Sequence, residues 1–186
     1  MKRLFDLILA LIAIGILLVP IIATAILVKL TSKGPALYWS DRVGKNNHLF
    51  KMPKFRSMKV DTPAVATHLL VDPKSVLTSI GDFLRKSSLD ELPQLWCILK
   101  GDMSFVGPRP ALFNQVDLIS LRTTKNVHIL MPGLTGWAQV NGRDELPIPD
   151  KVELDVEYAN KQSLRFDLYI LWLTFVKVIK RDGVSH

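Results

Sequence analysis

The N-terminal part of the sequence is one apolar run. Residues 7–28 contain no charge, and Gly15, Pro20 and Thr24 are the only interruptions in it. A helix of that length would measure about 33 Å, which is enough to cross a hydrocarbon core of about 30 Å. The pattern therefore predicts a membrane helix.

Three interpretations of this helix are open. A cleaved signal peptide would explain the basic Lys2 and Arg3, but the apolar run continues beyond the small residues 23–25, which favours retention. Pro20 lacks an amide hydrogen and clashes with the carbonyl of Ile16, so the helix is expected to kink or break there. Basic residues precede and follow the segment, and a re-entrant hairpin would keep both ends in the cytoplasm. Kinked helices that span the membrane also occur.

The sequence after this segment predicts short strands and helices. Two apolar runs, residues 36–39 and 49–52, flank a turn-like stretch and predict a strand pair. Apolar positions three and four residues apart predict a short helix over 80–85 and a longer one over 89–100, which Gly101 would end.

Prolines and glycines divide the rest of the chain. Loops are expected over 61–73, 107–110 and 132–142. The stretch 164–179 is rich in apolar and aromatic residues but too short to cross a bilayer. It is expected to form either a core helix or an interfacial helix.

Composition and charge narrow the class of protein. Of 186 residues, 48% are hydrophobic and 22% charged, which excludes a disordered or fibrous chain. The net charge of +7 favours anionic partners such as a phosphorylated substrate, an anionic lipid surface or nucleic acid. The single cysteine, Cys97, excludes an intramolecular disulfide and a cysteine-based zinc site, and the four histidines lack the spacing of a metal site.

Two adjacent carboxylates, Asp90 and Glu91, stand where the longer helix is expected to begin. Ser88 and Glu91 fit a capping box, in which the two side chains bond the free amides at the start of a helix. An ionised carboxylate at such a position can also attack phosphorus or bind a divalent cation. The structural and the chemical role are compatible.

Basic residues accompany the two carboxylates. Lys54 and Arg85 precede them, and Arg109 stands between two prolines, on a stiff loop suited to bidentate contact with phosphate. If these residues converge, they form a site for a polyanion and a metal, as in phosphoryl transfer. The stretch 132–143 is either a structural turn or a sugar or nucleotide site that includes Arg143.

Together these features resemble the bacterial sugar transferase family, the monotopic phosphoglycosyl transferases that initiate glycan assembly. The resemblance covers nearly the whole chain and includes the N-terminal apolar segment with its proline. The size of the chain is similar to that of the small, single-domain members. The matching motifs are residues 54–58, 88–94, 100–110 and 132–143.

The resemblance implies a fold and a location. The fold class would be α+β, mostly helical, with little β-structure and with interfacial amphipathic helices. A re-entrant helix-break-helix over residues 1–32 would pack on a catalytic domain over 33–186, at the cytoplasmic face of the bacterial inner membrane. Val19 precedes Pro20 where the family often has serine, so a hydroxyl that could support the break is missing.

The resemblance also implies an activity. A sugar-1-phosphate would pass from a UDP-sugar to a polyprenol phosphate, normally undecaprenyl phosphate, with release of UMP and a requirement for Mg2+. Asp90 would form a covalent phosphosugar intermediate and bind Mg2+, and Glu91 would support the site. Phosphates would be held by Lys54, Arg85 and Arg109, and Arg143 would contact substrate.

Two other functions are open on the sequence. A membrane-anchored basic module could bind anionic lipid or nucleic acid without catalysis. However, the basic residues form no run longer than two and no nucleic-acid-binding motif occurs, so we expect no nucleic-acid partner. A metal-dependent phosphohydrolase would keep both carboxylates and use water in place of the lipid.

Overall fold

A computed structural model of the chain describes residues 1–63, 65, 72, 74–142 and 146–180. The structure is mostly helical with two small sheets, which confirms the mostly helical α+β class. The helices are α1 (Lys2–Thr31), α2 (Gly81–Lys86), α3 (Leu95–Lys100), α4 (Val116–Thr124), α5 (Trp137–Val140), α6 (Ile148–Lys161) and α7 (Leu164–Lys180). The strands are β1 (Leu37–Val43), β2 (Leu49–Phe55), β3 (Ser104–Val106), β4 (Ala111–Leu112) and β5 (Gly133–Thr135). Short 3-10 segments are Lys45–Asn47, Leu89–Gln94 and Val127–Ile129.

The five strands form one sheet of three strands and one of two. β1 and β2 form the predicted antiparallel pair, in register from Leu37 opposite Phe55 to Val43 opposite Leu49. β4 joins the other edge of β1, so the order is β2-β1-β4. β3 and β5 form a separate parallel pair. β3 and β4 are consecutive strands in different sheets, and the chain between them is residues 107–110.

Helix α1 packs one face against the rest of the protein along its whole length. Its fully buried residues are Asp6, Ala10, Thr24 and Val28, whose spacing places them on one side of a helix. Ala10 belongs to the main core cluster and Val28 to a second cluster. The other side is apolar and exposed, and it includes Ile8, Leu11, Ile12, Ile16, Val19, Ile22, Ile26 and Leu30.

The helix continues through Pro20, so the predicted helix-break-helix is not confirmed. Proline removes one backbone hydrogen bond, but the turns on both sides of it are held by packing. Leu17 packs against the main core cluster and Ile21 against the second. Among the described residues, α1 is the one helix that is long and apolar enough to cross a membrane.

Polar side chains fix the first turns of α1. The buried Asp6 accepts hydrogen bonds from the hydroxyl of Ser104 and the amide of Phe105, both at 3.1 Å. Lys2 forms an ion pair with α7, and Arg3 donates to the last carbonyls of α3. The start of α1 is therefore bonded to β3, α3 and α7.

The helix predicted over 89–100 is divided into two parts. Residues Leu89–Gln94 form a 3-10 segment, and the α-helical part begins only at Leu95. In an α-helix starting at Leu89, the ring of Pro93 would clash with the carbonyl of Leu89, which explains the division. Gly101 ends α3 in a left-handed conformation, as predicted.

The expected loops have different outcomes. Residues 107–110 are a loop, as predicted, but the stretch 132–142 contains β5 and the one-turn helix α5, so that prediction is wrong there. Parallel pairing with β3 supplies the strand hydrogen bonds that a run rich in proline and glycine did not suggest. Of the loop predicted over 61–73, residues 64, 66–71 and 73 lie outside the described residues, and the described ones belong to no helix or strand.

Helix α7 combines the two predicted environments. Asp167 and Ile170 are buried, whereas Leu168, Trp172 and Phe175 are exposed. One face of α7 therefore contributes to the core and the other presents apolar and aromatic side chains.

Candidate active site

The 3-10 segment Leu89–Gln94 carries both carboxylates. Ser88 precedes it with a left-handed conformation (φ 57°), and its side chain makes no capping hydrogen bond. The predicted capping box of Ser88 and Glu91 is therefore wrong. The amide of Ser88, which Glu91 would bond in a capping box, instead bonds the backbone carbonyl of Arg85, which leaves the carboxylate of Glu91 available to other elements.

Glu91 connects three parts of the protein through one oxygen atom. Its Oε1 accepts a hydrogen bond from Nζ of Lys54 at 2.8 Å and another from Nη2 of Arg109 at 3.0 Å. Lys54 lies on β2, and Arg109 lies on the loop between β3 and β4. All three side chains are largely shielded from solvent, so these charge-assisted bonds are stronger than bonds at the surface.

Asp90 has a different environment. It is only 6% exposed, and among the described residues its carboxylate interacts with neighbouring charges rather than through hydrogen bonds. Burial raises the pKa of Asp90 from 3.8 to about 6, and the negative charge of Glu91 adds to the shift. The charges of Lys54, Arg85 and Arg109 oppose it. The charges of all four side chains therefore act on Asp90.

The fourth predicted basic residue, Arg143, lies outside the described residues. Its expected contact with substrate stays a prediction.

Hydrogen bonds donated to its backbone carbonyls hold the loop that carries Arg109. Pro108 and Pro110 have no amide hydrogen. The carbonyl of Pro108 accepts a bond from the amide of Gly133, and the carbonyls of Arg109 and Pro110 accept bonds from two arginine side chains. A side chain on Gly133 would approach the backbone of the loop within 2.1 Å, so the close contact requires glycine there.

Sequence reasoning missed the two arginines that bond this loop. They are Arg42 on β1 and Arg122 on α4, and Arg122 also pairs with Asp155 on α6. One signal was present: Arg122 lies four residues after Leu118, and Asp155 lies three after Val152, so both charges share a helix face with apolar residues.

The described residues fit a magnesium site only in part. They contain no group of three or more histidine, cysteine, aspartate or glutamate side chains that could hold a metal ion. Mg2+ in phosphoryl-transfer sites commonly uses one or two carboxylates and completes its shell with water and substrate phosphates. Asp90 can supply such a carboxylate, whereas Glu91 is already paired with two cations.

Exposed apolar side chains lie on both sides of the carboxylates in the sequence. Phe83 on α2 and Trp96 on α3 are each more than half exposed. They add to the exposed apolar faces of α1 and α7.

Comparison with known proteins identifies relatives of the whole chain. The family model described as bacterial sugar transferase matches residues 1–181. The uncharacterized sugar transferase EpsL of Bacillus subtilis (strain 168) is 41% identical over 186 residues, which is 100% of this chain and 91% of that protein.

Two further relatives have names that state an activity. The UDP-glucose:undecaprenyl-phosphate glucose-1-phosphate transferase of Escherichia coli (strain K12) is 39% identical over 95% of this chain and 40% of its own length. The UDP-N-acetylgalactosamine-undecaprenyl-phosphate N-acetylgalactosaminephosphotransferase of Aeromonas hydrophila is 37% identical over 98% of this chain and 44% of its own length. The chain thus spans less than half of these two larger proteins.

Proposed function

Because the chain belongs to the bacterial sugar transferase family, we propose that it transfers a sugar-1-phosphate from a UDP-sugar to a polyprenol phosphate and releases UMP. The names of the Escherichia coli and Aeromonas relatives state this type of reaction for those proteins. The observation that carries the proposal is the buried Asp90, surrounded by the charges of Lys54, Arg85 and Arg109. A site of this charge suits a diphosphate donor and a phosphate acceptor.

Asp90 is the proposed nucleophile. An oxygen of its carboxylate attacks the phosphorus that bears the sugar, and the bond from that phosphorus to the oxygen of UMP breaks. The electron pair leaves with UMP, and the phosphosugar stays on Asp90 as an acyl phosphate. The absence of hydrogen bonds from the described residues supports this role, because such bonds would lower the nucleophilicity of the carboxylate.

The second half of the reaction returns the enzyme to its first state. An oxygen of the polyprenol phosphate attacks the same phosphorus, and the bond to Asp90 breaks. The products are polyprenol diphosphosugar and a free carboxylate. A covalent intermediate allows a water-soluble donor and a lipid acceptor to use one site in turn.

Lys54, Arg85 and Arg109 are proposed to bind the phosphates of both substrates. Glu91 holds Lys54 and Arg109 in position before substrate arrives, since both donate to its Oε1. Positioned cations stabilise the charge of the transition state without first having to reorganise.

Asp90 is also the described residue that would hold Mg2+, together with phosphate oxygens of the donor. When bound, the ion would neutralise phosphate charge and orient the diphosphate. Dependence on Mg2+ is part of the proposal.

We propose that α1 enters and leaves the membrane on the same side. Its 30 residues would extend about 45 Å if straight. Asp6 and Ala10 near its beginning and Thr24 and Val28 near its end all pack against the rest of the protein. A helix that crosses a hydrocarbon core of about 30 Å cannot keep both ends on one side. Pro20 is the position where a bend would form.

The same orientation suits the charges near α1. Lys2 and Arg3 precede the apolar segment, and Lys29 and Lys33 follow it. Positive residues favour the cytoplasmic side, so we propose the cytoplasmic face of the bacterial inner membrane. The exposed faces of α1 and α7 would contact lipid there.

A release assay tests the reaction. The purified protein is incubated with a panel of UDP-sugars and undecaprenyl phosphate, with Mg2+ or with EDTA, and UMP is measured. We expect UMP release to continue beyond one equivalent per active site only when a matching UDP-sugar, the lipid and Mg2+ are all present. Equal consumption of UDP-sugar without lipid would instead identify a phosphohydrolase. Binding of anionic vesicles with steep salt dependence and without any UMP would identify a basic membrane module.

A labelling experiment tests the intermediate. With UDP-sugar labelled in the phosphate next to the sugar and without lipid acceptor, we expect one label and one UMP per active site. Mass spectrometry of the peptide containing Asp90 should show the added phosphosugar. Label on another residue would reject Asp90 as the nucleophile.

A further inference from the structure

We infer that Arg122, together with its partner Asp155 and with Arg42, is a positioning residue that fixes Arg109 in the active site. The inference rests on the proposed function, in which Arg109 binds phosphate. It concerns side chains that touch neither Asp90 nor Glu91 in any contact described above.

The loop over residues 107–110 has few amides that could bond the rest of the protein. A loop is normally held through its amides and its carbonyls, but Pro108 and Pro110 have no amide hydrogen. Hydrogen bonds from the rest of the protein must therefore reach this loop largely through its carbonyls. Three consecutive carbonyls are in fact bonded, each by a donor from a different element: Gly133 of β5, Arg122 of α4 and Arg42 of β1.

Arg122 makes the shortest of these three bonds. Its Nη1 donates to the carbonyl of Arg109 at 2.7 Å. Its Nε and Nη2 both donate to Oδ2 of Asp155, at 2.9 and 2.6 Å. Because a guanidinium is planar and rigid, the two bonds to Asp155 determine where Nη1 points. Asp155 thus directs Arg122 toward the carbonyl of Arg109. The side chain of Arg109 in turn donates a hydrogen bond to Glu91.

Burial makes this arrangement specific. Both Arg122 and Asp155 are buried, and a buried charge is costly unless it is paired and hydrogen-bonded. An ordinary link between α4 and α6 would not require a buried pair, since Lys125, directly after α4, already pairs with Glu153 of α6 at the surface. The feature that the surface pair lacks is the bond to the carbonyl of Arg109.

Arg42 fixes the same loop from another direction. Its Nη1 donates to the carbonyl of Pro110 at 3.1 Å, and its Nε donates to the hydroxyl of the buried Ser40 at 3.0 Å. Two arginines from separate elements thus hold adjacent carbonyls. The loop is fixed on both sides of the Arg109–Pro110 peptide bond.

The test uses Arg122→Lys and its matched control Lys125→Ala. Lysine keeps the charge at 122 but has a single nitrogen, which cannot reproduce the geometry of the guanidinium. We expect kcat/KM for the UDP-sugar to fall about ten- to a hundredfold, mainly through KM, because the phosphate-binding guanidinium is misplaced. Lys125→Ala also breaks an ion pair, between the end of α4 and α6, and should keep wild-type kinetics.

A double-mutant cycle separates positioning from a general structural effect. If Arg122 acts through Arg109, Arg122→Lys should cause no further loss of kcat/KM in an Arg109→Ala background. An equal loss in both backgrounds, or an equal loss in Lys125→Ala, would overturn the inference. Arg42→Gln provides a second variant, should Arg122→Lys fold poorly, and the same cycle with Arg109→Ala applies to it.

Hydrogen exchange supplies a measurement that does not depend on activity. Exchange in the peptide covering residues 104–112 should accelerate in Arg122→Lys and Arg42→Gln and stay at the wild-type rate in Lys125→Ala. Unchanged exchange in both arginine variants would reject the positioning role even if the enzyme is a transferase. If exchange accelerates but Arg109→Ala keeps full activity, the proposed role of Arg109 fails and the inference about the loop stands.

Discussion

Asp90 and Glu91 are neighbours in the segment Leu89–Gln94, but their surroundings differ. Glu91 accepts two hydrogen bonds from cationic side chains, whereas Asp90 accepts none from the residues described. Successive residues of a 3-10 helix point about 120° apart, since three residues complete a turn. The segment can therefore direct Glu91 toward β2 and the Arg109 loop while Asp90 occupies another, more buried position.

Two adjacent carboxylates could share the roles of positioning cations and of reacting with substrate, but their different surroundings suit each of them to one role. Glu91 gives its charge to the positioning of Lys54 and Arg109. Asp90 accepts no hydrogen bond from the described residues, and burial of its charge raises its pKa. Strain of this kind, in which stability is lost where reactivity is needed, is common at active sites.

The largest expected effect is that of Asp90→Asn. Asparagine keeps the shape of the side chain but cannot form the acyl phosphate, so UMP release should fall at least about a thousandfold. The measurement is UMP release in the presence of lipid acceptor. Asp82→Asn, at an exposed ion pair on α2, is the control and should keep its activity. Full turnover by Asp90→Asn would remove the proposed distinction between the two carboxylates.

Glu91→Gln should have a smaller effect of another kind. Glutamine can still accept hydrogen bonds but not with charge, so Lys54 and Arg109 become less well fixed, and we expect about a ten- to a hundredfold loss of kcat/KM. Labelled phosphosugar should still accumulate on Asp90, only more slowly. If Glu91→Gln prevents labelling as completely as Asp90→Asn does, Glu91 takes part in the bond-forming step.

Asp90→Asn should also stabilise the folded protein above pH 6. The pKa of Asp90 is raised from 3.8 to about 6, so the folded state binds this proton more tightly than the unfolded state. The stability from this proton is present below about pH 4 and is lost as the pH rises to about 6. Asparagine resembles the protonated form. We expect it to raise the unfolding free energy by about 3 kcal/mol at pH 7 and to have little effect near pH 4. Thermal unfolding of both proteins across this range measures the difference.

The smallest effect concerns the pH dependence of the rate. Because Asp90 must be ionised to attack, kcat/KM should rise with pH up to about 6 and then level. The charge of Glu91 raises the pKa of Asp90, so Glu91→Gln should move this rise to lower pH. A pH profile of kcat/KM for both proteins tests it, and a shift to higher pH would contradict the electrostatic coupling.

The parts of the fold that depend on local pattern could be predicted from the sequence. The uncharged apolar run of α1, the two apolar runs of β1 and β2 on either side of a turn, and the glycine that ends α3 are each determined within a few residues. The clustering of Lys54, Arg85 and Arg109 around Asp90 was expected once the family resemblance was recognised. The geometry places these charges together without testing the roles that the resemblance implies.

The predictions that failed concern features that depend on contacts with other parts of the chain. The pairing of β3 with β5 joins segments almost thirty residues apart, and only the partner strand turns a proline- and glycine-rich run into β5. The bond from Arg122 to the carbonyl of Arg109 likewise has no local sequence pattern. Ser88 satisfied the pattern of a capping box, yet the turn between α2 and the next segment holds it in a left-handed conformation.

The hydrogen bonds that Ser104 and Phe105 donate to Asp6 limit how this protein can be purified. They tie the first turns of α1 to the strand that leads into the Arg109 loop. Removal of the residues that precede β1, to obtain a water-soluble protein, would take away Asp6. The buried hydroxyl of Ser104 and the buried amide of Phe105 would then lack their acceptor. Extraction in detergent or nanodiscs with the helix intact is therefore the preparation in which the catalytic loop keeps its support.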